Sequence, residues 1–265
     1  MRSGAEDVRR STPLLRAVLA QAAMEGRLVL RSSESLVVTF GLPLGILALF
    51  STVEVVPTGG GRAIDFLVPG VLAISVGATG IVVVAVQTAF ERKYAVLKRV
   101  GVSPLPRWGF LLAKALAVVA ILTVQSVLTV VVAVGALGWR PVVGPAAWFG
   151  VLGLIALGAF ATTATGLLMA GTLRAEATLA GANALFLVLV AISGVAFDAA
   201  VLPEGLARLG ALAPVGALGE ALRALLGGVA AGGTGEGAIL GPTIRLGLWA
   251  AVATGVAARA FRWEP

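Results

Sequence analysis

The stretch ERKYAVLKRVGVSPLPR, Glu91 to Arg107, lies between two long apolar runs, Phe66 to Ala89 and Trp108 to Leu137. Runs of that length cross a bilayer, because about 20 helical residues cover a hydrocarbon core of roughly 30 Å. A basic island between two spans must therefore sit at a membrane surface. The rest of the chain agrees. Of its 265 residues, 58% are hydrophobic and 12% charged, with a mean hydropathy of +1.01, whereas soluble domains carry about 25% charged residues. The composition defines an all-α integral membrane protein. Its length leaves room for six spans and no sizeable domain outside the bilayer.

The chain has neither Cys nor His. Disulfides, thiolate nucleophiles and the usual zinc sites are excluded, along with the side chain that most often shuttles protons near neutral pH. A net charge of +7 could signal nucleic acid, but its distribution follows membrane topology, so no nucleic-acid partner is expected.

Outward from the island, the chain divides into one membrane domain, residues 1–265. Residues 1–35 form a polar, Arg-bearing N-terminal segment in which Leu14, Leu15, Val18, Leu19 and Ala22 recur at helical spacing, an amphipathic helix at the membrane surface. Residues 36–260 hold six spans, and 261–265 form a tail. The first span covers Leu36 to Val53, kinked at Pro43. The second covers Phe66 to Ala89, with Pro69 in its first turn, where a missing N–H costs least.

The third span runs from Trp108 to Leu137, with Lys114 near enough to its start to snorkel outward. Trp139 and Trp148 are placed as interfacial anchors. The fourth span runs from Ala147 to Thr172, the fifth from Thr178 to Phe197 and the sixth from Pro242 to Ala260. Between the last two, Leu202 to Leu212 and Val215 to Leu226 are helical in pattern but too short to cross. They are read as two helices dipping into or lying on the outer leaflet, broken at Pro214 and followed by a Gly-rich loop at 227–237.

Orientation follows from the basic residues. With the N-terminus in the cytoplasm, only Arg62, Arg140, Arg208, Arg223 and Arg245 of the 20 Lys and Arg fall on the far side. This bias, with an even number of crossings, puts both termini inside.

No ionisable residue lies in the middle of a span, so a proton relay or intramembrane hydrolase is disfavoured. The strongly polar side chains within spans are Gln87, Gln125 and Asn183. Gln125 and Asn183 either hydrogen-bond between helices or line a substrate pathway with Gln87, Phe90 and Phe186. Gly and Ala runs at 150–158 and 166–171 suit close helix packing. No Gly-Lys pair occurs, so there is no P-loop. If the protein transports, the energy must come from a separate ATPase, and the basic island is the docking candidate.

From Phe66 to Leu116, a Pro-Gly early in the second span, then Glu91-Arg92 with Leu97-Lys98-Arg99, then Pro104-Leu105-Pro106 before the third span, resembles the ABC-2 type transporter permease family. These are membrane subunits of bacterial ABC exporters, similar to drug-efflux permeases and to the membrane halves of ABCG-type proteins. The ending Phe261-Arg262-Trp263-Glu264 is also similar.

The resemblance implies a cytoplasmic coupling helix at 91–100, with Glu91, Arg92, Leu97, Lys98 and Arg99 on its motif. It also implies a connecting helix before the first span, and extracellular re-entrant helices between spans five and six. As partners it implies an ABC ATPase subunit and a second copy or close paralogue, and as location a bacterial plasma membrane. No cofactor is expected on this chain, ATP and Mg being held by the ATPase. The expected function is export of a hydrophobic or amphipathic small molecule. The competing reading is a secondary transporter or channel working without an ATPase.

Overall fold

The computed structural model describes residues 14–31, 36–52, 62–95, 106–141, 143–197, 201–226 and 236–260, and no strand occurs among them. The helices in chain order are α1 (Leu14–Arg31), α2 (a π turn Val37–Gly41 continuing into Leu42–Thr52), α3 (Ala63–Lys93), α4 (Arg107–Gly135), α5 (Pro145–Thr172), α6 (Ala175–Ile192), α7 (Glu204–Leu212), α8 (Pro214–Leu226) and α9 (Glu236–Ala260). Five of them, α3, α4, α5, α6 and α9, are long and apolar enough to cross a membrane. The chain is a multi-pass membrane protein.

The described part of α2 is shorter than a full crossing. Its apolar part covers Thr39–Ser51, and at 1.5 Å per residue that is about 20 Å, against a hydrocarbon core of roughly 30 Å. Pro43 leaves its mark here. Without an N–H it cannot serve the carbonyl four residues back, and the helix responds just upstream with a wider turn, in which Leu42 N–H donates to Val37 O five residues back.

α3 is the hub, buried along most of its length and packed against α2, α4, α5, α6 and α8. It begins three residues earlier than the hydropathy pattern suggests, so Pro69 sits in its second turn rather than its first. A second π turn, Ala78–Val83, lies at its middle. There α3 crosses α5 at very short range. A Cβ on Gly80 would run into the Thr162 side chain and lie 2.8 Å from Thr163 N, and one on Gly166 would strike the carbonyl of Gly80. The absence of side chains at Gly80 and Gly166 lets the two backbones meet. Gly158 serves α8 in the same way, opposite Leu218, while Gly153 faces open space.

α7 and α8 meet at 86° across Ala213. Pro214 opens α8 as its first residue, a position where its missing N–H removes no helix bond. α8 is embedded in the bundle, with Val215, Leu218 and Leu222 fully buried, rather than resting on its surface. α9 satisfies the last carbonyls of α7, as Arg245 donates to Ala211 O at 2.7 Å and Trp249 Nε1 to Leu212 O at 2.6 Å.

The expectation that Trp139 is an interfacial anchor is corrected. It is fully buried, its indole donates to Asp65 Oδ1 at 3.1 Å, and Trp148 packs edge-on at 6.3 Å. A carboxylate at the start of α3 supplies the partner that a headgroup would have offered.

Candidate functional site: the foot of the third helix

α3 does not stop at Ala89, where the apolar run ends. It continues through Glu91, Arg92 and Lys93 and closes at Tyr94 and Ala95, the latter at a left-handed φ of 57°. Glu91 and Arg92 therefore belong to the last turn of a span and not to a separate docking helix. Each of the three charged residues is fastened to a different neighbour.

Glu91 reaches α4. Lys114 Nζ lies 3.0 Å from Glu91 Oε2 and 2.8 Å from Glu25 Oε2 of α1. Lys114 is only 3% exposed and stands 5.3 Å from the centroid of the Phe110 ring. The expected outward snorkelling is thus corrected: the ammonium turns inward because two carboxylates wait there. Gln21 donates to the second oxygen of Glu25 at 2.9 Å.

Arg92, 7% exposed, donates to the carbonyl of Leu173 at the end of α5, where a helix leaves carbonyls without intrahelical partners. Lys93 pairs with Glu176 in the first turn of α6, a solvent-exposed contact whose contribution to stability is small. Phe90 rests against Ala89, Ala170 and Ala175, with Tyr94 stacked 6.1 Å away. The last turn of α3 thereby touches α4, the end of α5 and the start of α6 at once. Leu97, Lys98 and Arg99 lie outside the described residues.

The proposed pathway residues do not share one cavity. Gln87 borders a small pocket with Glu25, Thr79 and Lys114. Phe90 stays at the foot of α3. Gln125, 1% exposed, donates to Ser75 Oγ on α3 at 3.0 Å and to Thr129 Oγ1 on its own helix at 3.2 Å, an interhelical contact of the first kind considered above. Asn183 is exposed at the middle of α6 and donates back to Leu179 O at 2.8 Å. Phe186 is half-buried and packs on Gly77 of α3. A separate, largely apolar cleft of about 220 Å³ between α4, α5 and α9, bordered by Trp108, Leu111, Phe160 and Leu167, contains none of these five.

Replacing Gln125 with Leu is expected to lower stability by about 0.6 kcal/mol, the average for a hydrogen bond between membrane helices, and to leave substrate selection unchanged. A melting curve in detergent beside a transport competition assay checks both halves.

In sequence Lys93 is one more charge of the basic island and Glu176 one of a short charged turn, and neither these nor Glu25 is marked as a site residue; Lys114 faces the opposite way from the expectation. A signal for Glu25 was present. Val18, Glu25 and Val29 share the buried face of α1, and an acid on an apolar face requires a cation. Lys114, eight residues into α4, is that cation.

These features describe a helical membrane component whose charged residues gather where the foot of one span meets its neighbours. The sequence model of the ABC-2 type transporter family matches residues 17–226, and the chain belongs to that family. The family's membrane domain is not itself the ATPase and normally pairs with an ATPase subunit. No curated protein matches the chain at a significant level.

Proposed function

We propose that this chain, as a single membrane domain over residues 1–265, is the permease subunit of an ATP-driven exporter. Two copies, or this chain and a close paralogue, assemble with two ATPase subunits that carry the ATP and Mg. The membrane is a bacterial plasma membrane, and both termini lie in the cytoplasm. In this reading α2 completes a sixth crossing, α7 and α8 form a re-entrant pair at the outer face, and α1 is the connecting helix.

The observation that carries the proposal is the convergence at Glu91, Arg92 and Lys93. A movement imposed on the 91–107 segment acts on α3 directly, and reaches α4, α5 and α6 through one turn of helix. Glu91 and Arg92 transmit the movement, while Leu97, Lys98 and Arg99 make the contact with the ATPase. An apolar side chain flanked by charges suits such docking, since burial supplies affinity and charge supplies register. The charge bias supports the orientation, because the end of α3, the start of α4, the end of α5 and the start of α6 all share the side rich in Lys and Arg.

The pathway lies between the two copies, bordered by α3 and α6. An amide exposed at the middle of a membrane helix is poorly served by lipid, and Asn183 is such a group. A facing protomer or an amphipathic cargo would cover it. The otherwise apolar face, with Leu179 and Leu187 exposed on either side, suits a hydrophobic or amphipathic small molecule such as a drug-like metabolite or lipid. Since the chain has no Cys, Asn183→Cys introduces a single thiol. Oxidation is expected to yield a cross-linked dimer, whereas cysteine at Phe149, on the exposed side of α5, should remain monomeric.

The direct test is to solubilise the tagged protein from its host under mild conditions and identify what accompanies it by mass spectrometry. A P-loop ATPase is expected with the parent chain and is expected to disappear with Leu97→Asp, while the variant still inserts. Recovery of no ATPase with the parent would instead favour a transporter or channel that works alone.

A further inference from the structure

We propose that Lys114 is a positioning residue, a clasp that locks the connecting helix α1 to the foot of α3 and so fixes the orientation of that helix's last turn, Glu91 to Lys93, from which the docking segment continues. The proposal rests on the reading of that segment as the docking element, and it assigns to α1 and α4 a part in orienting it.

Three observations lead to it. The first is geometry: one ammonium spans two carboxylates on two different helices, at 2.8 Å to Glu25 and 3.0 Å to Glu91. The second is packing. α1 lies along α4, but where α1, α4 and α3 come together a small pocket remains, with Glu25 and Val29 of α1 on one side, Thr79 and Gln87 of α3 on the other, and Lys114 of α4 between them. Apolar contact does not close that gap, and Lys114 bridges it. The third is burial. A Lys at this depth with a flexible four-carbon stem can reach a membrane surface, yet its Nζ is held inside by both acids and by Gln21 behind Glu25.

A buried charge cluster is weak evidence for stability in itself, since an apolar replacement of the whole set is often neutral. Its best-attested use is to fix one register among several. Here the registers are positions of α1 against α3, and neither acid can leave Lys114 without stranding a charge. The same pocket borders the π turn of α3 through Thr79 and Val83. The clasp therefore holds the half of α3 that lies between that turn and the docking segment.

The experiment uses the Cys-free full chain with Ala23→Cys on α1 and Tyr94→Cys at the end of α3, both exposed. The protein is nitroxide-labelled, diluted with an excess of the unlabelled Cys-free chain so that an assembly holds at most one labelled copy, placed in nanodiscs of phosphatidylethanolamine and phosphatidylglycerol and measured by double electron–electron resonance. The parent is expected to give one narrow distance distribution. Glu25→Gln/Glu91→Gln/Lys114→Met, which removes every charge of the cluster together, is expected to at least double its width, and Lys114→Arg to keep it narrow.

An unchanged width in the triple variant would overturn the proposal, and so would a lowered melting temperature at unchanged width, since that is all a purely stabilising cluster would produce. The docking reading is judged separately by whether the parent recovers an ATPase. A widened distribution without that recovery would leave the clasp standing and remove its link to an ATPase.

Discussion

Lys114→Met is expected to remove most of the folded protein from the membrane, while the triple neutral variant Glu25→Gln/Glu91→Gln/Lys114→Met accumulates to near the parent level. The single substitution preserves length and removes the charge, leaving two carboxylates facing each other with their cation gone. Breaking a buried pair from one side costs about 3–5 kcal/mol, a large part of the roughly 5–15 kcal/mol that holds a typical domain folded. Taking out all three charges leaves no stranded ion. The yield of monodisperse protein from size-exclusion chromatography in mild detergent, at matched expression, measures the difference. Parent-level yields of both variants would mean that Glu25 and Glu91 find other partners and that the cluster is dispensable for folding, and equally low yields of both would mean that the charges themselves are needed.

The order of helices was legible because hydropathy alone marks spans. The expected second to sixth spans correspond to α3, α4, α5, α6 and α9, with ends shifted by a few residues, and the 202–212 and 215–226 patterns to α7 and α8. The ends shifted for a physical reason. Hydropathy ends a span where charges begin, but α3 keeps its charges by pairing them with α4, α5 and α6, so its helix outlasts its apolar run. The same blindness applies to Trp139. A Trp at the end of a span suits a headgroup or a buried carboxylate equally well. The choice depends on Asp65, which lies 74 positions away in sequence and 3.1 Å away in space.

The candidate site was half visible. The basic island and the Glu91-Arg92 pair stood out against an apolar background, and the acid on the inner face of α1 was a readable anomaly. What could not be read was which charge meets which, because that depends on how α1 lies on α4. The three pathway amides, Gln87, Gln125 and Asn183, stand out in the sequence as polar in apolar surroundings, a criterion that does not separate a hydrogen bond inside one copy, as at Gln125, from an exposed amide, as at Asn183.

The crossing of α3 and α5 gives the second large effect, and it distinguishes two glycines that look alike in sequence. Gly166→Ala is expected to destabilise by about 3 kcal/mol or more, the upper end of the cost of overpacking a tight core. Its new methyl would meet the Gly80 carbonyl, with Ile81 O 3.2 Å and Ala85 N 3.4 Å away. All three are backbone atoms, so no second substitution can make room. Gly80→Ala meets the Thr162 side chain first, with Thr163 N behind it at 2.8 Å.

Removing the Thr162 hydroxyl frees part of that space. It also gives up bonds that the hydroxyl donates to Gly158 O at 2.8 Å and Val76 O at 3.3 Å, although Gly158 O is the i−4 carbonyl of an intact helix. Gly80→Ala/Thr162→Ala is therefore expected to regain part of the melting temperature lost in Gly80→Ala, whereas Gly166→Ala/Thr162→Ala should regain none. Melting of the four variants in one detergent decides the matter. Equal rescue of both glycine variants, or wild-type melting of Gly166→Ala, would mean that the two helices can separate there without cost, and that α3 is not pinned to α5 at its π turn.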